Sequence, residues 1–530
     1  MKNNALYFVL WLILILPACK KPGAEIDTPD PEPPAVSDTL YTSDHQKNLA
    51  IVYFVPSDND TIVGWHKRLS EIFIYGQKMF GENMQRAGYG YKTYGLLKDS
   101  AKGLIKIILI KGKLTKDAYP YSGGADPVSQ EIKEYMAAHP AEFTSDHVMV
   151  MMPVAEYAPD GNPGGVPFYG TGKWAYGLDY PYLDMKNRGS ANADESRGYG
   201  WIGATLHEMA HALNVPHNRE KQSDRTTPGL GYALMGPDMR KFNTDQAFLT
   251  DADCAILNTN QVFQKNSSIT YYGTVNASIK RIAARYDSAT AAVKVAGRFE
   301  TDLPVTNIIY YLDPNVNNEG TGTNNDYNAV TWRSTVLGTD SFNIAMPVGE
   351  LFTKGNTPYE LKVKLVHENG RISQTIYPFN FLNDIPHIDI KNELDKTDWK
   401  VLAQSSQESN YPASNVIDGK LNTYWRSAYT SYQAVLPHAF RVDMAGTQTI
   451  NGISFRQRSD VLKPVKDLEI MFSDQPNSGW VSAGKFTALS TNKAQYFDFG
   501  VPVAARYFRL VVTSNHDGTN DSGIGEVGMY

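Results

Sequence analysis

Cysteine is nearly absent: Cys19 and Cys254 are the only two in 530 residues. That count excludes a disulfide framework, so stability must come from packing. Basic charge is also short, with a formal net charge of −6 and no run of Lys or Arg interleaved with aromatics. Nucleic acid and other polyanions are therefore excluded as partners. Long apolar runs are missing beyond residues 5–16, and that stretch is too short and wrongly flanked to stay in a membrane as a helix. What is plentiful is aromatic surface. There are 32 Tyr and 8 Trp, a composition common where sugars or peptides are stacked upon and equally normal in β-rich folds. The length accommodates three or so domains with large cores.

Chemistry concentrates in residues 201–218, which contain His207-Glu208-Met-Ala-His211 and, six residues further, His217. On a helix His207 and His211 lie one turn apart on one face, where neutral imidazoles can take two corners of a zinc tetrahedron. Glu208 is beside them, placed to hold the attacking water without being a ligand. Pro216 cannot continue the helix and biases Val215 towards extended geometry, so the chain can turn back and offer His217 as a third ligand. Three protein ligands leave one position open, the mark of a catalytic rather than a structural zinc. An amphipathic core helix with incidental polar residues is the competing reading.

This stretch resembles the signature of the metzincin zinc peptidases, H-E-x-x-H-x-x-G-x-x-H, with Asn214 in place of the glycine. Asn is the non-glycine residue that enters the left-handed region most readily, so the helix can still end there. The resemblance implies a structural Met-turn beneath the metal, and Met235, 18 residues after His217 with Gly231 and Gly236 flanking it, fits that place. No oxyanion-stabilising tyrosine is assigned, because Pro237 stands two residues after the Met.

At the start of the chain, Lys2 and the apolar residues 5–16 form a targeting segment, and Leu16-Pro-Ala-Cys19 resembles a bacterial lipoprotein box. The resemblance implies cleavage before Cys19, lipidation of its thiol, and attachment to the outer membrane or cell surface through acyl chains alone, outside the cytoplasm. An ordinary secretory signal is the alternative. Residues 20–45 are Pro-rich and acidic, the composition of an extended tether. Cys254, left without a partner, reads as a small buried apolar residue.

Residues 46–262 carry an α/β pattern: apolar runs at 49–55, 105–110 and 147–153, a weaker one at 91–97, and helical spacing over 64–86 and 127–136. This order matches an α/β (α+β) metzincin-like catalytic domain. The resemblance further implies an edge strand that pairs with extended substrate. Residues 174–183, with Trp174 and Tyr176, are its candidate, against a plain aromatic-rich loop.

Residues 268–385 change to short alternating stretches separated by Asn, Gly and Pro, which reads as an all-β, Ig-like sandwich serving as spacer or support. Asp313-Pro-Asn-Val-Asn-Asn begins like a calcium loop but lacks the sixth-position Gly, so it reads as a hairpin loop. Residues 395–530 resemble a discoidin (coagulation-factor C-type) domain, a β jelly-roll often used to bind carbohydrate. The matching residues include Ala413-Ser-Asn-Val-Ile-Asp418-Gly419, Tyr424-Trp425, Ala505-Arg506-Tyr-Phe-Arg509 and Gly525-Glu526-Val527. The resemblance implies calcium held by Asp418, Thr423 and Glu526, which offer hard oxygen ligands. Tyr429, Arg458 and His516 are candidates for contacting a glycan, and Trp425 reads as core.

Together these readings describe a surface-anchored, zinc-dependent endopeptidase acting on proteins, glycoproteins in particular, with Glu208 as general base and the C-terminal domain holding the glycan. The alternative is a glycan-binding surface lipoprotein whose metal site is vestigial or structural; a non-peptidase zinc hydrolase is a third. The presence of Glu208 favours hydrolysis, since a purely structural site has no use for a carboxylate beside the water.

Overall fold

Residues 50–55 read Ala-Ile-Val-Tyr-Phe-Val, apolar at every position, and form a strand buried on both faces (β1, Ala50–Val55). Such a run is what a central parallel strand needs, because helices cover both sides of the sheet. The computed structural model of the chain describes residues 41–314 and 325–530. Cys19, the leader, the tether up to residue 40 and the 315–324 part of the calcium-like loop lie outside the described residues.

Trp65–Arg86 forms helix α1, burying Leu69, Ile72, Phe73, Gly76, Phe80 and Met84 along one stripe. Then come β2 (Ile107–Lys111), α2 (Ala125–Ala138), β3 (Val148–Pro153), β4 (Trp174–Asp179), and the long helix α3 (Ala193–Ala212) that carries the histidines. The sheet order is β2-β1-β3-β4, parallel throughout. Gly76 lets α1 approach α3: a Cβ there would lie 2.7 Å from Leu206 Cδ2. The Arg68 guanidinium holds the buried Asp179 carboxylate at 2.8 and 3.1 Å, tying α1 to the end of β4. Helix α4 (Asp251–Asn258) closes the region and buries Cys254 completely.

Residues 91–97 do not form the weaker strand. Their backbone groups go to different segments, Gly95 N–H to the Val262 carbonyl and Leu49 N–H to the Gly95 carbonyl, so no ladder builds.

The middle region is all antiparallel. A four-stranded sheet (Ser341–Pro347, Ala292–Thr301, Ala277–Asp287, Asp389–Ile390) and a five-stranded one (Val330–Ser334, Val305–Pro314, Pro358–His367, Ile372–Leu382, Ile385–His387) share one core, with Val293 and Val295 from the first and Tyr310, Leu312 and Val363 from the second. Ala252, Ala255 and Ile256 of α4 pack on Ile309, Tyr311 and Val366 of the second sheet, which joins the middle region to the α/β region through a small apolar cluster. The C-terminal region is a seven-stranded antiparallel sheet built around the long strands His438–Gln457 and Gln495–Asn515. Trp425 sits in its core, fully buried, with its indole N–H donating to the Ser406 carbonyl at 3.0 Å. Among the described residues no helix is long and apolar enough to cross a membrane.

Candidate metal centre

Helix α3 begins at Asn192, whose side chain accepts from the N–H groups of Asp194 and Glu195. It ends in a complete Schellman motif. Asn214 lies at φ 63°, its N–H donates to the His211 carbonyl at 2.9 Å, and Val215 N–H donates to the Ala210 carbonyl at 3.0 Å. This turn aims the Val215 carbonyl back at His211, where it accepts from Nδ1 at 2.8 Å. Residue 214 therefore contributes to the site through backbone geometry, and Asn meets that demand as the sequence implied.

Each of the three histidines is oriented in the same way. His207 Nδ1 donates to the Leu234 carbonyl at 2.7 Å, and His217 Nδ1 donates to the Asn325 carbonyl at 2.8 Å. A carbonyl only accepts, so all three rings carry their proton on Nδ1 and present the Nε2 lone pair. Those three nitrogens lie within 4.8 Å of one another. His207 Nε2 is buried with no hydrogen-bond partner among the described residues, and His211 Nε2 faces His217 Nε2 at 2.8 Å. Burial, reinforced by the neighbouring rings, holds His207 far below the ordinary imidazole value and pushes His217 down to about 3. Three neutral lone pairs converging in a buried place fit a cation, and imidazole nitrogens of this number suit zinc.

Glu208 is 6% exposed, and burial pushes its carboxyl up to about 8 against the Gly170 N–H that donates to it. Gly170 is there because nothing larger fits, since a Cβ would lie 2.2 Å from His211 Cβ. Met235 is fully buried in a turn closed by Gly236 N–H on the Ala233 carbonyl at 3.0 Å, directly after the Leu234 carbonyl that orients His207. Asn218, next to His217, donates its N–H to the Met235 carbonyl at 3.2 Å and its side-chain amide to the buried Asp253 at 2.5 Å. Tyr327, from the middle region, stacks on His217 with ring centroids 3.6 Å apart.

The edge-strand expectation changes in detail. β4 is the edge strand, but its outer side is taken by the chain's own residues 169–171: Tyr176 N–H donates to the Tyr169 carbonyl at 3.0 Å and Thr171 N–H to the Trp174 carbonyl at 2.7 Å. Tyr176 is not a surface contact; it is 2% exposed and its hydroxyl donates to the Ala125 carbonyl at 3.3 Å. Trp174 is half-buried beneath the Lys133 ammonium.

In the C-terminal region, Thr423 Oγ donates to the Asp418 carboxylate at 2.9 Å, and Gly419 N–H donates to Glu526 Oε1 at 3.2 Å, so the three predicted calcium ligands share one corner. The Lys396 ammonium also pairs with Oε1, while Oε2 is buried without a partner among the described residues. Tyr429 is exposed and lies under the Arg426 guanidinium at 3.5 Å. Arg458 is buried over Tyr424, with Nε and Nη1 unpartnered among the described residues. His516 is exposed, with Nε2 facing the Ala488 carbonyl at 2.7 Å.

Gly170, Asn325 and Tyr327 were not singled out from sequence. Gly170 lies in a stretch legible only as a Gly-rich loop. Asn325 and Tyr327 sit over a hundred residues beyond His217, in a region read as a spacer.

Residues 401–527 match the family model of the F5/8 type C domain. OgpA from Akkermansia muciniphila, in its wild-type crystal structure, is 31% identical with a TM-score of 0.60, covering 66% of this chain and 96% of that chain. The same values hold for catalytically inactive OgpA in complex with an O-glycopeptide (glycodrosocin) substrate. Among curated relatives, galactose oxidase from Gibberella zeae is 28% identical over 32% of this chain and 25% of its own length, and a sialidase from Micromonospora viridifaciens is 34% identical over 22% and 18%. The chain thus spans a quarter or less of the length of these two.

Proposed function

This chain belongs to the family of OgpA from Akkermansia muciniphila, and on that premise we propose that it is a zinc-dependent endopeptidase acting on O-glycosylated protein. The observation that carries the reading is the set of three Nε2 lone pairs, each fixed by a carbonyl on Nδ1, beside a buried carboxylate. His207, His211 and His217 would hold the metal through Nε2. When bound, zinc supplies a Lewis acid to the scissile carbonyl and acidifies the attacking water. Glu208 takes that water's proton and returns it to the leaving amine. Gly170 N–H keeps the carboxylate oriented while leaving it basic enough to accept. A vestigial or structural site accounts for the histidines but not for a buried glutamate held in this way.

The metzincin-like character rests on the Schellman turn at Asn214 and on Met235 beneath the histidines. The F5/8 type C domain supports glycan binding, with the exposed Tyr429 and His516 as the candidates for direct contact and the buried Arg458 packed over Tyr424. Calcium would join Asp418, Thr423 and Glu526 through Oε2, in competition with the Lys396 charge on Oε1. Cys19 in its lipobox-like setting supports lipid attachment on the outer membrane or cell surface. The test is cleavage of one glycoprotein before and after enzymatic removal of its O-glycans, with and without a zinc chelator. Cleavage confined to the glycosylated, chelator-free sample supports the reading. Equal cleavage of the deglycosylated protein overturns its substrate class, and cleavage that survives the chelator overturns its metal.

A further inference from the structure

A β domain that merely supported a peptidase would have no reason to reach its metal ligands, yet residues 325–327 do. The Asn325 carbonyl accepts from His217 Nδ1 at 2.8 Å, so the tautomer and direction of the third ligand are set from outside the α/β region. Tyr327 lies face to face with His217, centroids 3.6 Å apart and planes at 22°, and parallel within 13° to His207 at 6.1 Å. Between them Asp326 sits at φ 71°, a left-handed conformation that is unfavourable for a residue with a side chain.

That conformation is held by charge. The Asp326 carboxylate pairs with Lys362 and, at 3.6 Å, with Lys364, both on the strand Pro358–His367 and both nearly fully buried. Lys362 also binds the buried Asp313 at 2.7 Å, and the Lys364 ammonium lies 3.5 Å from the centre of the Tyr311 ring. Two lysines buried on one strand are unfavourable unless their charges are answered, and apolar residues would fill the same space with less difficulty. The adjacent backbone is joined as well. Arg219 N–H donates to the Ala329 carbonyl at 2.8 Å and Arg219 pairs with Val330 in a parallel bridge, two residues beyond His217.

We propose that the Asn325–Asp326–Tyr327 loop is a positioning element of the metal site, so that the middle β domain forms part of the catalytic unit and sets its zinc affinity. His217 follows Pro216 on a non-helical segment and has no helix to orient its ring. The Tyr327 face fixes the ring plane, the Asn325 carbonyl fixes its rotation, and the Asp326–lysine cluster fixes the loop that carries both. A ring loaded on Nε2 becomes electron-poor, which strengthens its stacking on a phenol. This inference rests on the zinc reading of the three histidines.

The test is zinc affinity of the full chain by chelator competition, for wild type, Tyr327→Leu, Tyr327→Phe and Asp326→Ala. Arg298→Ala, which removes an exposed ion pair with Asp340 on the same domain, is the control. Removal of groups that orient metal-ligating imidazoles weakens metal binding roughly 10–100-fold. Tyr327→Leu and Asp326→Ala are expected to fall in that range, Tyr327→Phe to recover most of the affinity through its retained ring, and Arg298→Ala to match wild type. Cleavage by Tyr327→Leu should be lost at limiting zinc and return at excess. Wild-type zinc affinity in Tyr327→Leu overturns the inference while leaving the zinc reading intact; a wild type that binds no zinc overturns both. Tyr327→Leu removes the ring but keeps an apolar side chain, and Asp326→Ala reaches the same loop without touching the ring, so a folding failure in one leaves the other decisive.

Discussion

Replacing Gly170 by Ala places a methyl 2.2 Å from His211 Cβ, more than about 1 Å inside ordinary contact. His211 is fixed by α3 and by the Val215 carbonyl, so segment 169–171 must give way. That movement withdraws the Gly170 N–H from Glu208. A hydrogen bond to a charged group is worth about 1.5–3 kcal/mol, or roughly 10–150-fold in rate if it is lost where the proton moves. A catalytic group misplaced by about 1 Å costs on the order of 100-fold. Both routes predict a fall in kcat of about two orders of magnitude. The assay is steady-state cleavage of an O-glycopeptide, with zinc content measured on the same preparation. The added methyl would also lie 2.8 Å from His211 Cγ and 3.0 Å from Cδ2, so zinc content on the same preparation separates a displaced segment 169–171, which keeps the metal, from a displaced His211 ring, which loses it. A Gly170→Ala enzyme within about threefold of wild-type kcat would refute the idea that this backbone holds the general base.

Asn214→Ala, which forces an ordinary L-residue into φ 63°, should lower stability by about 1–2 kcal/mol, with Asn214→Gly less affected, as read by thermal unfolding. Lys396→Ala leaves the buried Glu526 carboxyl with the Gly419 N–H alone and pushes it further above about 7, so the variant should lose stability above neutral pH; recovery in millimolar calcium would support a calcium loop, and its absence would count against one. Burial pushes the Asp253 carboxyl up to about 6 from its ordinary 3.8. The folded state then holds that proton more tightly, so the stability Asp253 contributes is complete below pH 3.8 and is lost as pH rises through about 6. Between about pH 4 and 7, the stability of Asp253→Asn relative to wild type should therefore improve by roughly 3 kcal/mol. A flat difference across that range would show that the carboxyl is not perturbed.

The order of the α/β elements was legible because β1, β3 and α1 have unambiguous periods: apolar at every position in the two strands, apolar at helical spacing in the helix. The three histidines that converge in the candidate metal centre were legible because two of them sit one helical turn apart and the third follows a proline. What stayed hidden depends on backbone. The Leu234, Val215 and Asn325 carbonyls that fix the three tautomers carry no residue-type signal, since any residue supplies a carbonyl. Tyr176 was read as a substrate contact because it lies on the candidate edge strand, but residues 169–171 occupy that edge and the Tyr176 side chain is buried with its hydroxyl on the Ala125 carbonyl. Residues 91–97 had strand-like composition, but their backbone partners, Leu49, Lys106 and Val262, lie in three separate segments. Asp326 and its lysines were invisible because exposed charges in a β domain are ordinary, and nothing local marks Lys362 and Lys364 as buried.

The central claim, a metal held by three histidines with Glu208 moving the proton, is tested most directly by Glu208→Ala on the full chain, measured together for zinc content and glycopeptide cleavage. Loss of a general base costs roughly 10²–10⁴-fold in rate. The variant is expected to retain about one zinc per chain on His207, His211 and His217 while kcat falls by that factor. Equal cleavage by variant and wild type, with metal bound in both, would contradict it.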